Sequence, residues 1–67
     1  MTSKEELLLA LEIAKRKSIE DEKNVWAKIY VEWFSSALQK NENNVPIPAF
    51  TLAAAQGLLL DEKENQK

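Results

Sequence analysis

The chain contains no cysteine and no histidine among its 67 residues. The lack of cysteine excludes disulfides, thiolate metal ligands and a cysteine nucleophile. The lack of histidine removes the commonest general base near neutral pH and the commonest metal ligand. A chain this short forms one domain at most, and a core of this size seldom contributes more than ~3–5 kcal/mol. We therefore expect its stability to depend on helix packing or on oligomerisation.

Turn-forming residues are also scarce. Gly57 is the only glycine, and Pro46 and Pro48 are the only prolines. Nothing before Val45 forces the chain to break, and the residues that dominate it (Ala, Leu, Glu, Lys and Gln) favour helix. The composition predicts a single all-α domain over residues 1–67, a small helical bundle that oligomerisation completes.

Charge and hydropathy limit the possible partners. Nine basic and eleven acidic side chains give a formal net charge of −2, so no basic face is expected to neutralise phosphates. No apolar run approaches the ~20 residues that span a bilayer. The apolar run that begins at Leu7 is too short for a secretory signal and ends at Glu12. We expect a cytoplasmic protein whose partner is neither a nucleic acid nor a membrane.

Apolar residues that recur at three and four positions predict three helices. Their expected bounds are residues 3–17, 20–40 and 48–62, with a loop over 41–47 and a frayed tail over 63–67. Pro48 is expected at the first position of the third helix, where its missing N–H costs nothing. A long first helix plus a short last one is the alternative, because the apolar stripes of the first two helices are in phase across five turns.

Two positions carry possible helix starts. Ser3 with Glu6 has capping-box spacing, and Thr2 with Glu5 has the same spacing one residue earlier. Ser18 is a candidate N-cap for the second helix, because the basic run before it and the acidic run after it suit the ends of two helix dipoles. We therefore expect the break near Ser18.

Four of the five aromatic residues lie within nine positions: Trp26, Tyr30, Trp33 and Phe34. Trp and Tyr are favoured anchors of binding surfaces, but a small domain also needs large side chains in its core. The core interpretation is favoured, and ring edges can be exposed in either case. We expect the apolar third helix to pack against this stripe.

Ala53 and Gly57, four residues apart in the third helix, leave a flat spot on it. Glycine costs ~1 kcal/mol relative to alanine inside a helix, which suggests a packing reason. Close packing within the fold is the favoured explanation. Contact across a subunit interface and chance are the alternatives.

Acidic residues are grouped at positions 20–22 and again at Asp61, Glu62 and Glu64. They lack the alternating ligands and the glycine turn of a calcium loop, so we interpret them as solvated faces. Three short helices leave little room for a catalytic pocket. We expect no catalytic residue, no cofactor, no metal and no enzyme activity.

The apolar surface is larger than one chain of this length can bury. The side chains that we expect on an interaction surface are Leu9, Ile13, Trp26, Tyr30, Val31, Trp33, Phe34, Leu38, Leu52 and Leu60. The sequence therefore predicts a non-catalytic protein–protein interaction module, such as a small adaptor, inhibitor or regulator, that forms a homodimer. A small nucleic-acid-binding regulator, a membrane-surface helix, and an orphan or designed bundle without a partner are the alternatives.

Overall fold

The computed structural model describes residues 2–64 of the chain. In this part of the protein three α-helices follow one another: α1 (Ser3–Glu20), α2 (Val25–Glu42) and α3 (Ala49–Glu64). The predicted all-α class is confirmed. The last helix extends two residues beyond the predicted bound, into the expected tail, and the rest of that tail (residues 65–67) lies outside the described residues.

The first helix begins at the earlier of its two possible caps. The backbone N–H of Glu5 donates to Oγ1 of Thr2 over 3.2 Å. The N–H of Glu6 donates to the carbonyl of Thr2 over 3.0 Å, which is the first bond of the helical ladder. Thr2 is therefore the N-cap, and Ser3 is the first helical residue.

The break between α1 and α2 lies later than expected. Ser18 remains inside α1, where its hydroxyl donates to the carbonyl of Lys15 over 2.8 Å. The N-cap of α2 is Asn24, whose side-chain oxygen accepts from the N–H of Ala27 over 3.2 Å. The Asp21 carboxylate accepts from the N–H of Lys23 and closes the turn between the helices. A single continuous helix is therefore wrong, as is a break at Ser18.

The end of α2 is a Schellman motif. Asn44 has a φ of 68°, the left-handed conformation that ends many helices and that asparagine tolerates better than most residues. The N–H of Val45 donates to the carbonyl of Lys40, and that of Asn44 to the carbonyl of Asn41, both over 3.0 Å. The first residues of the predicted loop (41–47) therefore belong to the C-terminal end of α2 and its cap.

The third helix starts one residue later than expected. The Pro48 carbonyl accepts from the N–H of Leu52 over 3.0 Å, so Pro48 flanks the helix and Ala49 is its first residue. Phe50 at the start of α3 lies near the middle of α2, while Asp61 lines a cleft with Trp26 near the start of α2. The two helices therefore run in opposite directions.

α1 is the central helix of the fold. Both α2 and α3 pack extensively against it and touch each other little. The prediction that α3 packs against the aromatic stripe of α2 is therefore wrong for most of its length. Its direct ring contact with that stripe is between Phe50 and Trp33, whose centroids are 5.8 Å apart.

The core consists of small and aliphatic side chains around one aromatic ring. Phe34 is fully buried and is the largest of them. The other members are Leu7, Ala10, Leu11, Ala37, Leu38 and Ala55. Because Phe34 and Ala27 define the buried face of α2, the expected stripe is rotated, and Val25, Trp26 and Ile29 point outward.

Candidate interaction surfaces

Both α2 and α3 pack on α1 but contact each other little, so an open apolar surface lies between them, which we call the α2–α3 face. Near the start of α2 this face contains the lower cleft, of about 290 Å³, lined by Trp26, Tyr30, Ala54, Gly57, Leu58 and Asp61. A second cleft of about 230 Å³ lies near the middle of α2 and has Trp33 and Phe50 in its lining. We define the face by the apolar cleft residues Trp26, Tyr30, Trp33, Phe50, Ala54, Gly57 and Leu58 and by Val25, Ile29 and Ala53, which helical spacing places beside them. Asp61 and Lys40 are the charged side chains in the two clefts.

The aromatic side chains of α2 form a row in which burial increases from Trp26 through Tyr30 to Phe34. The rings of Trp26 and Tyr30 meet edge to face with centroids 4.9 Å apart. Tyr30 then stacks on the buried Phe34 at 5.1 Å, and Trp33 is half-buried beside them. The core interpretation is thus correct for Phe34, whereas Trp26 is mostly exposed. The binding interpretation stays a prediction.

The flat spot on α3 faces open space. A Cβ atom built on Gly57 meets no atom within 4 Å, and both Gly57 and Ala53 are exposed. The favoured explanation of this pair, close helix packing inside the fold, is therefore wrong. What the glycine provides is a gap beside Trp26 in the lower cleft.

The ten side chains expected on an interaction surface lie in three different environments. Phe34 and Leu38 are buried in the core and drop out of any surface of the folded chain. Trp26, Tyr30 and Trp33 lie together on the α2–α3 face. Leu9, Ile13, Val31, Leu52 and Leu60 are half-buried or exposed, and none of these five lines the two clefts of that face.

Leu9 and Ile13 belong to a second depression, the α1–α3 cleft. Its volume is about 620 Å³, and its lining is Leu9, Glu12, Ile13, Lys15, Arg16, Ile19 and Leu59. Three of these seven side chains are charged, with both signs present. Because charged residues are depleted at the centre of protein interfaces, this cleft is less suited to a dry contact than the α2–α3 face.

Four strongly exposed apolar side chains were not predicted on an interaction surface: Val25, Ile29, Phe50 and Ile19. The spacing of Val25, Ile29 and Trp33 does place them on one side of α2. No signal in the sequence shows that this side faces solvent, since that depends on where α3 lies.

The acidic groups form no metal site in the described part of the chain, where no three acidic, histidine or cysteine side chains converge. Glu62 is not a solvated residue as expected, because its carboxylate pairs with Arg16 and Lys17 of α1. Of the three described helices, none combines the length and apolar content needed to cross a membrane.

Comparison with known proteins gave no match. Neither a protein family, nor a curated protein, nor a solved structure is significantly similar to the chain. Functional reasoning therefore depends on the surfaces described above.

Proposed function

We propose that this protein is a non-catalytic interaction module that binds another protein chain through its α2–α3 face. The observation that carries the proposal is the exposure of four large apolar side chains on that face. Val25, Trp26, Ile29 and Phe50 are 65%, 54%, 56% and 68% exposed, respectively. Contiguous apolar patches of this kind on small soluble proteins commonly mark interaction sites.

The face also has the composition of a binding surface. Tryptophan and tyrosine are enriched among the residues that contribute most to binding energy, and they lie near the centre of interfaces. Tyr30 and Trp33 are partly held by the core, so they lose little side-chain freedom when a partner covers them. The α2–α3 face therefore presents anchors that are already ordered.

The shape of the face favours a helical partner. Two antiparallel helices with a valley of small residues between them form a groove into which an apolar helix can pack, as in helix-in-groove recognition. Burial of the exposed rings would also add to the limited stability of a chain this short. We expect the module to act in the cytoplasm, where proteins function without disulfides.

A photo-crosslinking amino acid at position 29 tests the proposal in cells of the source organism. Ile29 lies on the α2–α3 face, whereas the exposed Lys28 points about 160° around α2 from Trp26, and a crosslinker there is the matched control. We expect a discrete protein adduct from position 29 and none from position 28. Equal adduct formation from the two positions, or no adduct from either position 29 or position 50, would contradict the proposed function.

A further inference from the structure

We infer that the chain covering the α2–α3 face is a second copy of the protein, and that each copy inserts its Trp26 into the gap at Gly57 of the other. This inference rests on the proposed function and names the partner. Symmetric dimers are the commonest assemblies of soluble proteins, and a twofold interface requires one surface to carry both complementary features.

The α2–α3 face carries both features at the same level. Trp26 projects from α2 and is more exposed than buried, while Gly57 opposite it on α3 has free space where a side chain would stand. The two residues line the same cleft. A large side chain thus faces a small one across the lower cleft, which lets two copies interdigitate there.

A twofold axis parallel to α2 and α3 brings these features together. Rotation about an axis that lies along the groove keeps each residue at its level but exchanges the two sides. Trp26 of one copy then lies above Gly57 of its partner, and Phe50 lies above the partner's row of α2 aromatics near Trp33. Trp26 thus meets the gap at Gly57, Phe50 meets an aromatic ring, and the twofold symmetry repeats each contact.

The size of the face matches what a stable dimer needs. The Cα atoms extend over 34 × 24 × 16 Å. The longest dimension follows the helices, since an 18-residue helix is about 27 Å long. Each partner in a standard interface contributes about 800 Å², which is close to the product of the two larger dimensions. Each of the two clefts has one charged side chain in its lining, Asp61 or Lys40, so a second copy can cover them while burying few charges.

Filling the gap tests the inference. Gly57→Leu places a side chain in the groove. Gln56→Leu is the matched control, because it adds the same side chain at an exposed position about 160° around α3 from Leu58 of the lower cleft. By sedimentation equilibrium over a wide concentration range, we expect the full-length protein and Gln56→Leu to be dimers. We expect Gly57→Leu to raise the dissociation constant by roughly tenfold or more, equivalent to about 1.4 kcal/mol.

We expect Gly57→Leu to fold, because a Cβ atom at position 57 meets no atom within 4 Å and leucine favours helix over glycine. Circular dichroism at a concentration where each variant is monomeric should show unchanged helix content. A second pair separates the two apolar surfaces: Ile29→Glu should dissociate the dimer, and Ile19→Glu, in the α1–α3 cleft, should not. A dimer that survives both Gly57→Leu and Ile29→Glu would overturn the inference.

A monomer up to high micromolar concentration would also overturn it. The crosslinker at position 29 then distinguishes the two proposals. An adduct with a different protein would leave the proposed function standing and refute the second copy. The absence of any adduct together with a monomeric protein would refute both. An adduct of twice the chain mass, lost on Gly57→Leu, supports both.

Discussion

The carboxylate of Glu62 near the end of α3 lies 3.6 Å from the ammonium group of Lys17 near the end of α1. Arg16 pairs with the same carboxylate. These contacts attach the C-terminal part of α3 to α1. Lys17 also lines a cleft of about 250 Å³ together with Trp26 and Asp61, so the ion pair lies beside the groove between α2 and α3.

We expect Glu62→Gln to lower the free energy of unfolding by about 0.5–1 kcal/mol, the range of partly exposed ion pairs. The loss should shrink in 1 M salt, because salt screens such pairs. Chemical unfolding at low and high salt measures both effects. Glu64→Gln removes the same charge from a more exposed position two residues later and should change stability by less. Equal losses from the two variants would show that overall charge, and not the contact with α1, is responsible.

The buried hydroxyl of Thr51 has no hydrogen-bond partner within residues 2–64. The side chain is 1% exposed, and its Oγ1 makes no hydrogen bond among the described residues. An unsatisfied buried polar group costs about 1–3 kcal/mol. Thr51→Val keeps the branched shape and removes the hydroxyl, so we expect it to raise the free energy of unfolding by about 1 kcal/mol. Thr51→Ala, which also leaves a cavity, should be less stable than Thr51→Val. A loss on Thr51→Val would show that the hydroxyl is satisfied.

The two phenylalanines should respond oppositely to truncation. Phe34→Ala removes the largest buried ring, and such changes cost about 3–5 kcal/mol. That is comparable to the whole stability expected of a core this small, so we expect the variant to be largely unfolded by circular dichroism at 25 °C. Phe50→Ala removes an exposed ring and should change the stability of the monomer by about 0.5 kcal/mol or less. Similar losses from both would contradict the position of Phe50.

Local sequence signals predicted the helices better than their arrangement. The scarcity of turn formers predicted an all-α chain, apolar spacing predicted three helices, and the spacing of Thr2 and Glu5 predicted one of two possible starts. The orientation of α2 could not be predicted, because Trp26 and Phe34 are both large aromatic residues and only contact with α1 decides which of them is buried. The same holds for Gly57, whose spacing with Ala53 predicted close packing without indicating that the space beside it is empty.

The start of α2 is a position where local sequence signals and the structure can be compared directly. Ser18 and Asn24 are both acceptable N-caps, and only Asn24 caps the helix in the structure. We expect Asn24→Ala to lower the free energy of unfolding by about 1 kcal/mol, the usual cost of a lost N-cap. Ser18→Ala loses a hydrogen bond to the carbonyl of Lys15 but gains helix propensity, so its effect should be close to zero. Urea unfolding with an unchanged m-value measures both. A larger loss of stability from Ser18→Ala than from Asn24→Ala would place the break between the helices at Ser18, where the charge pattern alone predicts it. It would also shorten α1 at the end that pairs with Glu62 of α3.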